Sequence, residues 1–365
     1  MFQPYKMKKI LFFLFLSLSL SAQNVFKASE IKSRLEKATK WQLENPKHEP
    51  TDWTNGAFYA GVFAAWEATQ KQWIMDSLMN LGKKTSWQPG NRYDHADDIT
   101  ISQTYIDLYR QNKNEKLIKP TWDTLIKVQF WPGKEKANHG ITWWWCDALF
   151  MGPPVFAKIA KETGDISLLK TNDELFKECY DLLYNKEEKL FARDASYLKD
   201  AQGNQKLEAN GQKIFWSRGN GWVIGGLARL LAELPSDYPN RSFYETLFKE
   251  MAYRLKSLQQ PDGLWRSSLL DPDAYPGGEA SGSGFDIYAI TWGVNHGLLP
   301  EKDFKNTIRN GWKALNTLVQ ENGKVGWVQP IGADPRRNFD KESWEVYGTG
   351  AYLLAGSEML KYLKK

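Results

Sequence analysis

Two kinds of helical pattern alternate along the chain. The first is apolar nearly all round, rich in small residues and aromatics, with little charge. It covers Asn55 to Thr69, Ile99 to Tyr109, Trp144 to Ala160, Gly221 to Leu234, Phe285 to Leu299 and Val346 to Leu363. The second carries one apolar stripe on a heavily charged background. It covers Ala28 to Leu43, Gln72 to Gly82, Lys116 to Gln129, Ser167 to Leu183, Arg241 to Gln259 and Lys302 to Gln320. A helix without a polar face is buried, and a helix with one apolar stripe lies at the surface. Strict alternation of six inner and six outer helices predicts an all-α fold, an (α/α)6 barrel. Strand signals are sparse, and neither a low-complexity segment nor a Pro/Gly/Ser linker divides the chain. One domain over 23–365 is expected.

In such a barrel the loops entering the inner helices open on one end of the ring. Unusual polar residues should gather at those six starts, and they do: TDWTNG, YDHADD, NHGITWWWCD, FWSRGN, GEASGSG and DPRRNFDKESWE. Helix N-termini also attract anionic groups through their free N–H donors.

Residues 1–22 read as a secretory signal peptide. Lys8 and Lys9 precede the apolar run Ile10 to Leu20, which is too short to span a bilayer, and Ser-Leu-Ser-Ala forms a small-residue cleavage pattern. Export to the periplasm or the medium is expected. The formal charge is +5, and loss of Lys6, Lys8 and Lys9 with the leader leaves +2. That is no footprint for nucleic acid. Cys146 and Cys179 are too few for a disulfide scaffold, and Cys146, inside an aromatic run, reads as a buried thiol. The aromatic content, 17 Trp, 16 Tyr and 18 Phe, fits either a large core or a sugar-binding cleft, and composition does not separate the two.

The third start is the most specific. Asp147 follows Trp143, Trp144 and Trp145, and aromatic walls should desolvate its carboxyl and raise its pKa, as a general acid requires. The second start supplies Asp94, His95, Asp97 and Asp98. One of these is expected to serve as an N-cap, and a carboxylate facing Asp147 would suit sugar chemistry. A metal site at His95 competes, but no other cluster stands at ligand spacing, so no metal and no cofactor is expected. At the fourth start, Arg218 and Trp222 share a helix face. Such a pair can fork onto a carboxylate and stack on a ring, unless Arg218 instead pairs with a neighbouring acid. The chain has no Gly-x-Ser-x-Gly elbow, P-loop or dinucleotide fingerprint.

WTNGAFYAG, WWWCDALFMGPP, SRGNGW, DGLWRSSLLDP, GFDIYAITWGVNHGLL and YGTGAYLLAGSEM, in this order, resemble glycoside hydrolase family 105, the unsaturated rhamnogalacturonyl and related uronyl hydrolases, and its relative family 88. The resemblance runs from about Ala28 to the C-terminus. It implies an (α/α)6 barrel and metal-free removal of a 4,5-unsaturated uronic acid from lyase-generated oligosaccharides, by hydration of the double bond. It implies Asp147 as catalytic acid/base and Asp97, with Asp98 beside it, as the second carboxylate. Trp145, Arg218 and Trp222 match substrate-binding positions, His95 lies in the same subsite, and Trp53 looks like one of its walls. Arg193 stands where relatives carry a histidine. It either adds charge for an extra substrate anion, such as a sulfate on an ulvan-type fragment, or pairs with Asp194 or a nearby acid. The expected partner is an oligosaccharide, not nucleic acid or membrane, and the expected state is a monomer or weak homodimer. An ordinary retaining or inverting glycosidase and a non-catalytic glycan-binding protein are the competing readings.

Overall fold

The computed structural model describes residues 25–131, 140–200 and 202–365, so the leader expected over 1–22 lies outside the described residues. In chain order the helices are α1 (Ala28–Glu44), α2 (Trp53–Thr69), α3 (Gln72–Lys84), α4 (Ala96–Ile99), α5 (Ser102–Asn112), α6 (Lys119–Phe130), α7 (Ala148–Met151) and α8 (Pro153–Thr163). Then come α9 (Ser167–Leu183), α10 (Ser217–Leu231), α11 (Arg241–Leu258), α12 (Ala280–Asn295), α13 (Glu301–Leu315) and α14 (Val346–Tyr362). A two-residue hairpin, β1 (Tyr184–Asn185) with β2 (Leu190–Phe191), follows α9.

The two sequence patterns become two layers. In α12 every residue from Ala280 to Val294 is buried, and α2, α10 and α14 are buried over most of their length. In α1 only Ile31, Leu35, Ala38, Thr39 and Gln42 are buried, one stripe of an otherwise wet helix. Each large apolar side chain so buried contributes about 1.5–3 kcal/mol. The inner helices pack in a ring: α2 on α5, α5 on α8, α7 on α10, α10 on α12, α12 on α14, and α14 back on α2. Ring closure depends on glycine. A Cβ on Gly61 would lie 2.4 Å from the Gly350 carbonyl oxygen, and one on Gly350 would lie 2.5 Å from that of Ala57. The SGSGF glycines lie inside α12 and serve close packing; a Cβ on Gly284 would meet Ala351 at 2.9 Å.

Two inner helices differ from the sequence pattern. The second is broken at Thr100–Ile101 into α4 and α5, and begins already at Ala96. The third does not begin at Trp144. Trp143 to Asp147 is non-helical, α7 lasts four residues, and the chain restarts at Pro153 after Gly152. Pro153 cannot donate to the preceding turn, so a second helix starts there with prolines at its first positions. The break leaves the Trp-rich segment free to pair as β-structure, and Trp145 bridges to Asp194.

Candidate active site

The N-terminal ends of the inner helices converge on one end of the ring, and Asp97 and Asp147 meet there. Asp147 is the N-cap residue of α7, makes no capping bond with its side chain, and is buried. Its Oδ2 lies 3.4 Å from Arg193 Nε and accepts from the Cys146 thiol at 3.6 Å. Asp97 sits in the first turn of α4. Burial, and then the negative charge of Asp147, push the Asp97 carboxyl up to about 7. Asp97 is thus a carboxyl raised into the neutral range. Arg193 lies against Asp147, whereas Asp97 faces Asp147 itself.

His95, not an aspartate, occupies the N-cap of α4. Its ring stacks obliquely on Trp145, with centroids 4.5 Å apart. Burial, then the Arg92 charge, lower its pKa to about 4, so the ring is neutral near pH 7. With the ring neutral, the 3.7 Å approach of His95 Nδ1 to Asp97 is not an ion pair near pH 7. Asp98 does a structural job. Its carboxylate accepts from the Arg92 backbone N–H at 2.8 Å and from the Arg92 guanidinium at 2.5 and 3.0 Å. That leaves Asp97 as the carboxyl that interacts with Asp147.

Trp53 is half-buried, stacked on Tyr347 with centroids 5.4 Å apart and set edge-on to Trp222 at 6.0 Å. Trp145 and Trp144 are tilted together at 5.1 Å. Arg193 lies over Trp144, donates to Asp194 at 2.7 Å and reaches Asp147. Its charge is thus paired with two acids, although Nε makes no hydrogen bond.

Arg218 corrects the sequence reading. It is completely buried between the rings of Trp216 and Tyr347, 4.3 and 4.7 Å from their centroids. Both ends of its fork donate to backbone carbonyls, Nη1 to Gln329 at 2.6 Å and Nη2 to Pro330 at 3.0 Å. No acid pairs with it among the described residues; both terminal nitrogens are held by backbone carbonyls. Arg218 Nε and Trp222 Nε1 are both buried donors without an acceptor.

Gln329, absent from the sequence reading, is the hub behind this wall. Its N–H donates to Glu279, and its carbonyl accepts from Arg218 and the Tyr347 hydroxyl. Its amide oxygen accepts from Trp216 and Ser267, and its amide nitrogen donates to the Asp334 carbonyl. Glu279, also buried, caps α12 through the N–H groups of Ser281 and Gly282. No local pattern marks a buried glutamine in a loop. Tyr347 was accessible to reasoning, since it opens the sixth inner helix. Both cysteines are free and buried, and burial pushes both thiols up.

The model of Glycosyl Hydrolase Family 88 matches residues 27–363. The chain belongs to this family. A curated relative, the unsaturated 3S-rhamnoglycuronyl hydrolase of Formosa agariphila, is 45% identical over 357 residues, covering 95% of this chain and 94% of the relative. Its namesake from an Alteromonas species is 34% identical over 86% of this chain and 78% of its own length. The solved structure of a family 88 glycosyl hydrolase from Bacteroides vulgatus superposes with a TM-score of 0.84 at 27% identity, covering 92% of this chain and 99% of that one. The protein is a glycoside hydrolase on an (α/α)6 barrel.

Proposed function

We propose that the protein removes a 4,5-unsaturated uronic acid from the non-reducing end of lyase-generated oligosaccharides, with Asp147 and Asp97 as the catalytic pair. The observation that carries the reading is the Asp97 carboxyl, held up to about 7 beside Asp147. Below that pH the pair holds a proton, as protonation of a vinyl ether requires. The proton goes to C4 of the double bond. Asp147 takes a proton from the water whose oxygen bonds to C5, which restores the pair. The hemiketal at C5 opens, the freed C1 centre collapses, and the next sugar leaves.

Trp53 and Trp145 form the aromatic walls against which a ring lies, with neutral His95 beside them. Buried donors are otherwise nearly always paired, so Arg218 Nε–H and Trp222 Nε1–H are assigned to substrate oxygens. Two relatives are named for 3S-rhamnoglycuronyl substrates, which favours a sulfated, ulvan-type fragment over a pectic one. Arg193, engaged by Asp194 and Asp147, sets the charge of the pair and is not assigned to the sulfate. The leader of residues 1–22 belongs to the same proposal: export places the enzyme where lyases release its substrates.

The test is absorbance of the conjugated uronate. Incubation with the disaccharide released from ulvan by a lyase should abolish the absorbance, while a saturated aryl glucuronide should stay intact. Hydrolysis of the saturated glycoside with the unsaturated one untouched would refute the reading.

A further inference from the structure

Away from Asp147, the C-terminal end of α3 and the length of α6 enclose a groove of about 730 Å³. Its lining includes Lys83, Lys116, Lys119, Lys127, Asp123 and Trp87. Lys119 is paired with Asp123 at 2.8 Å. Lys83, Lys116 and Lys127 are exposed and enter no ion pair among the described residues. Four ammonium groups and one carboxylate line this concavity.

The indole in this groove is held in place. Ser86 and Trp87 both adopt left-handed backbone, φ 52° and 60°, which non-glycine residues adopt only at a cost in free energy. The Trp87 N–H closes onto the Gly82 carbonyl at 2.9 Å. The ring lies on Gly82, where a Cβ would come within 2.0 Å of it, and stands edge-on to Tyr105 at 5.5 Å. The ring is half-buried, so part of it remains open to solvent.

We infer that this groove is a second, non-catalytic glycan site, which holds a uronate- or sulfate-bearing polysaccharide chain. An aromatic face takes the C–H face of a sugar ring, and mobile, strongly hydrated ammonium groups suit anions spaced along a polymer. An acidic peptide would use the lysines and leave the indole idle. The chain that forms this wall of the groove continues from Trp87 through Arg92 to Asp97, and Tyr105 donates to the Gln88 carbonyl at 3.3 Å. A chain held there keeps the enzyme at the polymer whose fragments it consumes. The identity of the sugar rests on the proposed function; the existence of the groove does not.

The experiment is affinity electrophoresis of the protein through gels containing intact ulvan, whose ends are saturated, with dextran, polyglutamate and single-stranded DNA as controls. Ulvan should retard the wild type, dextran should not, and salt should weaken the effect. Lys83→Glu with Lys127→Glu, both at exposed sites, should raise the dissociation constant for ulvan about tenfold or more, because attraction becomes repulsion at both positions. The same double variant should keep kcat/KM on the unsaturated disaccharide. Trp87→Ala should weaken ulvan binding while leaving any binding to polyglutamate unchanged. No retardation of the wild type, equal retardation of the double variant, or retention by polyglutamate or DNA as strong as by ulvan would each overturn the inference. Ulvan binding without disaccharide turnover would sink the proposed function and leave the groove; turnover without binding would do the reverse.

Discussion

The two ends of the barrel treat buried charge in opposite ways. At the far end, where the inner helices finish, the buried ions among the described residues pair with one another. Lys158 donates to Asp107 and lies 3.5 Å from Glu233. Arg110 takes both oxygens of Glu233 at 2.8 and 2.9 Å and reaches Glu162 at 2.8 Å. Burial alone would raise the Glu233 carboxyl, but Lys158 and Arg110 outweigh it and hold the group well below the usual carboxylate range. At the catalytic end the matching is incomplete. Asp97 has a carboxylate for a neighbour, and Arg218 Nε, Trp222 Nε1 and His95 Nδ1 are buried without hydrogen-bond partners. Matched charges fix a structure; unmatched ones keep a proton and donors available for something that arrives. One end closes the ring and the other holds the proposed catalytic pair.

Variants should separate the ends cleanly. The largest effect is expected from Asp147→Asn, which should lower kcat by about 10³-fold with little change in Tm. Turnover and thermal melts on one preparation check both halves. Lys158→Met should do the opposite. It removes the buried cation shared by Asp107 and Glu233, leaving Asp107 with only distant arginines, and should cost about 3–5 kcal/mol of stability, read by urea unfolding, with kcat per folded molecule unchanged.

Asp97→Asn should lower kcat about 10²-fold and also stabilise the protein in a pH-dependent way. The folded carboxyl binds its proton more tightly than the unfolded one, so wild-type stability is complete below the ordinary carboxyl pKa and declines as pH rises toward about 7. Asparagine carries no such penalty. The variant should match wild type at pH 4 and exceed it by about 2–4 kcal/mol at pH 8, measured by denaturant titration at both. The smallest effect is expected from Arg218→Lys. It keeps the charge and loses the fork that holds Gln329 and Pro330, so KM should rise about tenfold with kcat largely kept. Equal loss of kcat and KM function would place Arg218 in the chemistry rather than behind the wall.

The barrel was legible because its signal is local. Each helix shows in its own periodicity whether it has a wet face, and alternation then dictates the layers. Asp147 and Asp97 were legible because each lies in a short segment of unusual composition at a helix start. The role of Arg218 was not, because its partners Gln329 and Pro330 are far away in sequence and are carbonyl oxygens, which any residue possesses. The approach of Arg193 to Asp147 was not legible either, because the two are far apart in sequence and the Trp145–Asp194 bridge brings their segments together. The matched network was invisible for a similar reason. Asp107, Lys158 and Arg229 are isolated charges on helices that read as uncharged, and they pair only once the ring is closed.

The central claim is that the catalytic end keeps its proton on the Asp97–Asp147 pair. The direct measurement is kcat/KM on the unsaturated disaccharide from pH 4 to 9, for wild type and Asp97→Asn. The wild type should lose activity as pH rises through about 7, the midpoint set by burial and by Asp147, and that descending limb should vanish in the variant. The same limb with the same midpoint in both proteins would contradict the account.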